Sequence, residues 1–182
     1  ILGQGRFEEA EKLYREVLET LQRVLGLEHP QTLRSMGDLA TAIKDPNRYE
    51  EVEKLNRKLL EIQRRVLGHE HPTTLQSMVN LGCDILRRGR YEEAEKLWRE
   101  VLEIQKRVLG REHPDTLKSM NNVAVALQYQ GQYAESEKVC RELFEIKQRV
   151  LGLEHPSTLI TMERMAVSLT RQGEFSEGET LI

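Results

Sequence analysis

The sequence predicts an all-α fold, an α-solenoid of stacked antiparallel helix pairs, and three observations carry that reading. One short phrase, LGxEHP, is written four times, at 25–30, 67–72, 109–114 and 151–156, each 42 residues after the last. Behind every copy, apolar residues recur with the period of one helix face. The composition suits long helices over a thin core, with 31% charged and only 5% aromatic residues. A fixed period of this size marks a repeat architecture, in which each unit buries its apolar face only against a neighbour.

The first element of each repeat, helix A, starts at the His-Pro of the link. Pro30, Pro72, Pro114 and Pro156 fit a first helical position, because proline there loses no hydrogen bond and has its φ preset. Thr-Leu follows each proline, then Met36, Met78, Met120 and Met162, and then Ala40, Gly82, Ala124 and Ala166. Leu33, Met36, Ala40 and Ile43 stand at i, i+3, i+7 and i+10, an amphipathic stripe. In the first copy helix A is expected over 29–45, cut short by Pro46. Gly89, Gly131 and Gly173 are expected to stop the later copies, with Asn47 in that role in the first, as a residue that tolerates positive φ.

Helix B follows, opening on one aromatic per repeat: Phe7, Tyr49, Tyr91, Tyr133 and Phe175. It runs about twenty residues and closes on Gly26, Gly68, Gly110 or Gly152. Glu8–Lys12, Glu11–Arg15 and Glu19–Arg23 are i,i+4 pairs with the acid first, and Glu92–Lys96, Glu95–Arg99 and Glu103–Arg107 repeat them. This charge run reads as a solvated face. The opening ILGQGRF aligns with the tail of a helix A and its turn, and the closing EGETLI falls inside a helix B. The chain is therefore expected to be one repeat array, residues 1–182, cut from a longer polypeptide.

Several function classes are disfavoured. The net charge of −3 provides no basic field for nucleic acid, and no apolar run reaches membrane-spanning length. Cys83 and Cys140 fit neither a disulfide framework nor a CxxC motif, so they read as free thiols of a cytoplasmic protein. His29, His71, His113 and His155 occur one per repeat, spaced apart by the solenoid, and are expected to cap their loops rather than to share a metal. His69 and His71 form an HxH pair without the further ligands of a zinc site. With no phosphate loop, nucleophile elbow or HExxH present, neither an enzyme nor a cofactor is expected.

SMNNVAVALQYQGQYAESEKV, at 119–139, resembles the tetratricopeptide repeat, with landmarks at Met120, Ala124, Tyr133 and Ser136 and matching positions at Met36, Ala40 and Ala10. The 42-residue period, the long helix B and the LGxEHPxTL link are similar to kinesin light chains. They are closer still to kinesin-light-chain-like arrays attached to nucleotide-binding signalling receptors in fungi. The resemblance covers the whole chain. It implies a right-handed superhelix whose concave groove, lined by helix A, binds proteins or peptides. It also implies that Asn80 and Asn122 match a groove asparagine that clamps a peptide backbone, a place taken by Asp38 and Arg164 in the outer copies.

The face of helix A opposite the stripe differs from copy to copy, as a recognition surface would. Arg34, Asn80, Arg87, Lys118, Asn121, Asn122, Gln128, Tyr129, Arg164 and Arg171 are its candidate peptide-binding residues. Counting Arg34, Lys44, Arg87, Lys118, Arg164 and Arg171 against Asp38, Asp45 and Glu163 makes this face basic. The expected function is a non-catalytic interaction module, the sensor or adaptor part of a larger protein, that takes an extended acidic segment. The alternative is a structural spacer or self-assembly domain stacking end to end.

Overall fold

The computed structural model describes residues 2–43 and 45–173, with side chains from Glu8 onward except that of Pro46. All regular structure among them is helical: α1 (Leu2–Leu25), α2 (Pro30–Ala42), a 3-10 turn (Pro46–Arg48), α3 (Tyr49–Val66), α4 (Pro72–Arg87), α5 (Tyr91–Val108), α6 (Pro114–Tyr129), α7 (Tyr133–Leu151) and α8 (Pro156–Arg171). The chain forms two compact units, Ile1–Arg88 and Gly89–Ile182. Within the first, α1 packs on α2, α2 on α3 and α3 on α4. Within the second, α5 packs on α6, α6 on α7 and α7 on α8.

The repeated link works as the sequence predicts. Gly26, Gly68, Gly110 and Gly152 have φ of 86–93°, a left-handed conformation that ends helix B and that side chains disfavour. Each link histidine then caps helix A: its Nδ1 accepts the backbone N–H two residues on, at 3.2 Å for His29, His71 and His113 and 3.1 Å for His155. One of the orphan amides of the first turn is thereby satisfied. The threonine after each proline is fully buried. In two copies its hydroxyl closes the loop, Thr32 donating to the Gly26 carbonyl and Thr116 to that of Gly110, both at 2.8 Å.

The apolar stripes are the core. Met36, Met78 and Met120 are at most 1% exposed, and Ile85, Val123 and Leu127 are similarly enclosed. Helix B adds Leu59 and Val52 in the first unit, and Trp98, Val101, Cys140 and Leu143 in the second. The fourth stripe departs from the pattern. Met162 is only partly buried, and Leu159 is 49% exposed where its equivalents Leu33, Leu75 and Leu117 are 4–5%. Among the described residues no helix follows α8 to cover that side.

Three expectations are corrected. Asn47 does not adopt positive φ, and no non-glycine residue described does. Asp45 instead caps the 3-10 turn, its side chain accepting the Asn47 N–H at 2.9 Å, and α2 ends at Ala42. The turn expected ahead of Phe7 is also absent: α1 runs unbroken from Leu2, with Gly3 and Gly5 inside it, and no described helix precedes it to be turned back upon. The expected features at Phe175 and in 177–182 lie outside the described residues.

The third correction concerns helix B, whose charge run is not simply solvated. Glu11–Arg15 and Glu95–Arg99 form as i,i+4 pairs, at 2.9 and 2.6 Å. Yet Glu11, Glu53 and Glu95 point inward, with side chains 15%, 5% and 16% exposed. Each receives a donor from the end of the next helix A. Arg88 meets Glu53, and Gln130 meets Glu95 at 2.7 Å. In the first copy Pro46 occupies the donor's place, and Arg48, two residues later, reaches Glu11 at 2.8 Å instead. The cause is geometric: a helix pair leaves the C-terminal end of helix A beside the preceding helix B, where an inward carboxylate satisfies the donor.

Candidate functional site

The first unit holds a polar cavity of about 360 Å³ between α2, α3 and α4. Asn80, Cys83 and Arg87 of α4 line it, with Gly37, Thr41, Tyr49, Asn56 and Asp84. In its lining α3 carries Asn56 where α1 has Tyr14, α5 has Trp98 and α7 has Cys140. At its floor Asn56 donates to Asp84 at 2.6 Å, and Arg87 pairs with the same carboxylate at 3.2 Å. Burial pushes the Asp84 carboxyl above the ordinary aspartate range, against the hydrogen bond from Asn56. Asn80 is exposed and accepts from Gln76 at 3.0 Å.

The second unit holds a cleft of about 370 Å³ between the starts of α6 and α8 and the end of α7. Lys118, Asn121 and Asn122 form one side, Leu117, Val150, Leu151 and Ile160 give it apolar surface, and Lys147 lines it from α7. Lys118 is 75% exposed and pairs with Asp115 at 3.0 Å. Both asparagines are half-buried and line the cleft.

The remaining candidates do not gather at either cavity. Gln128 and Arg164 engage each other: Gln128 donates to the Arg164 carbonyl at 3.0 Å and to Ser168 at 2.9 Å, while Arg164 donates to the Gln128 side chain at 2.7 Å. They tie α6 to α8. Tyr129 is 59% exposed, and its ring stacks on Tyr91 at 5.1 Å, joining α6 to α5. Arg34 and Arg171 are exposed and line neither cavity. The basic excess of this face is also smaller than the sequence count, since Asp84 and Asp115 neutralise Arg87 and Lys118 and neither entered the count.

Three residues of the cavities escaped the sequence reading: Asn56, Asp84 and Lys147. Their signal was available. Across the period, Asn56 stands against Tyr14, Trp98 and Cys140, and Asp84 against Ala42, Ala126 and Ser168. Lys147 stands against Leu21, Gln63 and Gln105. Departures inside the buried pattern were as informative as those on the outer face.

Both cysteines are free. Burial raises the Cys83 thiol and pushes Cys140 up to about 11, which keeps them protonated and poorly nucleophilic. Among the described residues no cluster of three or more histidines, cysteines and acids could hold a metal. Among them, too, no helix is long and apolar enough to cross a membrane.

Comparison with known proteins agrees with this architecture. Models of the tetratricopeptide repeat match residues 1–58, 74–115 and 116–157. A crystal structure of a Podosopora anserina protein named for the kinesin light chain, with nearly identical TPR-like repeats, is similar at 31% identity and a TM-score of 0.87. That match covers 98% of this chain and 85% of the other. BtubC (BKLC) from P. vanneervenii shares the fold at 21% identity and a TM-score of 0.85, over 100% and 72% of the two chains. Bacillus thuringiensis PlcR, solved with the peptide PapR7 and DNA, shares it at 19% identity and a TM-score of 0.67, over 97% and 66%. No curated protein matches significantly. The chain belongs to the tetratricopeptide repeat family and is similar to its kinesin-light-chain-like members.

Proposed function

We propose that this chain is a non-catalytic interaction module that binds an extended, acidic segment of a partner protein against helix A of its repeats. The tetratricopeptide repeat is a family of protein-interaction modules, and PlcR, which shares the fold, was solved in complex with a peptide. The observation that carries the reading is the cleft of the second unit. It sets apolar surface from Leu117, Val150, Leu151 and Ile160 beside the amides of Asn121 and Asn122 and the ammonium of Lys118. Amides supply a donor and an acceptor together, as a peptide backbone requires. The apolar surface beside them suits side chains, and the lysine favours an acidic neighbour.

The test is an array of extended peptides, each in a glutamate and a glutamine version, probed with the parent chain and with Asn121→Ala/Asn122→Ala. Selective capture of glutamate peptides, lost in the variant, is the expected outcome. A folded parent that ignores every peptide, yet grows in a light-scattering concentration series, would replace the reading with a self-stacking spacer.

A further inference from the structure

We propose that the polar cavity of the first unit binds an organic cation, a guanidinium or primary ammonium group, whose N–H donors meet the buried carboxylate of Asp84. This cavity and the peptide cleft belong to different units, so the inference stands apart from the peptide reading. Asp84 is 4% exposed and lines a space of about 360 Å³, within the range that encloses a small ligand. A carboxylate has room for about four donors, and two are present, Asn56 at 2.6 Å and Arg87 at 3.2 Å. Thr41, also in the lining, spends its hydroxyl proton on the Gly37 carbonyl at 3.0 Å, which leaves its oxygen as an acceptor. Asn56 commits its side-chain nitrogen to Asp84 and keeps a carbonyl oxygen. Carboxylate, hydroxyl and amide oxygens thus line one cavity, a set that suits a ligand rich in N–H donors.

The carboxylate is under-compensated where it stands. Burial pushes its pKa up and the nearby Glu53 adds to this, while Asn56 and Arg87 oppose them without restoring the ordinary value. Glu53 itself is held by Arg57 and Arg88. Arg87 is a loose partner for Asp84: its side chain is 57% exposed, and an ion pair so open to water is worth little. A cation inside the cavity would meet the same carboxylate with less screening. It would release Arg87 to solvent, where that side chain already largely stands.

The repeats show that the fold does not call for this acid. At the positions of Asn56 and Asp84 the others carry Tyr14 and Ala42, Trp98 and Ala126, and Cys140 and Ser168. None of these leaves a buried side-chain nitrogen or oxygen without a partner. A buried acid costs desolvation that its pair seldom repays. Its presence in one repeat only, on the wall of a cavity, fits recognition of a cation better than packing.

The experiment titrates the isotope-labelled 182-residue chain with small probes and follows backbone amide signals. Methylguanidinium and methylammonium are free cations, and N-acetylarginine methylamide carries the guanidinium on a peptide unit. N-acetylcitrulline methylamide keeps that shape without the charge, and tetramethylammonium keeps a charge without N–H donors. The expected result is saturable movement at residues 37–41 and 80–87 with at least one N–H cation, and none with citrulline or tetramethylammonium. Preference for a free cation assigns the site to a small molecule, and preference for the arginine derivative assigns it to a partner's side chain. Asp84→Asn should weaken the response about tenfold, the size of one charge-assisted hydrogen bond. Arg87→Gln removes the competing guanidinium and should tighten binding by up to about fivefold, the worth of an exposed ion pair. Damage to the fold would not produce such a gain. No response to any N–H cation, an equal response to citrulline, an unchanged one in Asp84→Asn or a weaker one in Arg87→Gln overturns the site. The citrulline comparison uses the parent chain alone, so it decides the question even where a variant fails to fold.

Discussion

Gln130, at the end of α6, donates to the Glu95 carboxylate of α5 at 2.7 Å. The same tie joins Arg88 to Glu53 and Arg48 to Glu11, so in α1, α3 and α5 one inward acid receives a donor from just beyond the following helix A. Of the three acids, Glu53 is the most enclosed and is met by Arg57 as well as Arg88. Glu53→Ala should cost about 3 kcal/mol, because it strands partly buried guanidinium groups. Glu95→Ala, which loses one neutral donor and a more exposed pair, should cost about 1 kcal/mol. Urea denaturation of the two variants checks this. Equally small losses would return these acids to the status of a solvated charge run.

Two carboxyls of the first unit should respond to pH in opposite directions. The Arg48 guanidinium holds Glu11 below the ordinary carboxylate range, with burial opposing. Its stabilisation is complete above the unfolded glutamate value, about 4.3, and is lost as pH falls through the lower folded value. Asp84 is raised by burial, so its contribution is complete below the unfolded aspartate value, about 3.9, and is lost as pH rises through the folded one. Glu11→Gln should therefore flatten the acid limb of the stability curve. Asp84→Asn should compare best with the parent near neutrality and lose that advantage on acidification. Denaturation midpoints measured from neutral to acid pH decide both, and an acid limb unchanged in Glu11→Gln would refute the first.

The fold was legible because its determinants are local and written several times. His71, Pro72 and Gly68 each enforce one backbone event, and repetition separates such signals from chance. The inward acids were not legible, since Glu8, Glu11 and Glu19 look alike as sequence and only packing decides which one meets the next helix. The engagement of Gln128 with Arg164 is hidden in the sequence for a related reason. Each is polar on the variable face, yet their side chains are long enough to reach each other between α6 and α8. Asn80 and Arg87 do border a cavity, as do Lys118, Asn121 and Asn122, because position along helix A alone puts them there.

The capping role of the link histidines predicts a modest, repeat-local cost. The His71 side chain is exposed and its Nδ1 accepts the Thr73 N–H, so His71→Ala should lose about 1 kcal/mol. His71→Asp restores a short acceptor at the same place, with a charge suited to a helix N-terminus, and should recover most of that loss. Hydrogen exchange at the first turn of α4 localises the effect. Protection unchanged in His71→Ala would show that the proline alone sets the start of the helix.

Met120 and Leu159 occupy the same kind of stripe in successive copies but differ in burial, at 1% and 49% exposed. Met120→Asp should lose several kcal/mol, because it buries an ionised carboxylate with no partner in the core of the second unit. Leu159→Asp should lose about 1 kcal/mol or less, as a surface substitution does. Thermal melts of the two variants give the comparison directly. Equal and large losses would mean that the stripe of α8 is covered as fully as that of α6.

Charge reversal on helix A tests the binding face, and the ion pairs decide which residue to reverse. Arg87→Glu is a poor choice, because it removes the pair of the buried Asp84 and sets a second acid beside it, so lost binding could reflect damage to the fold. Lys118 is cleaner: it is 75% exposed, and its one partner, Asp115, is half-exposed and stays hydrated when released. Lys118→Glu should leave the melting temperature nearly unchanged and weaken capture of glutamate peptides by about 2 kcal/mol, the cost of placing like charges together at an interface. Added salt should weaken the parent's binding in the same direction, though less, because amide contacts from Asn121 and Asn122 are little screened. Glutamate peptides that bind Lys118→Glu as tightly as the parent would move the acidic contact away from α6.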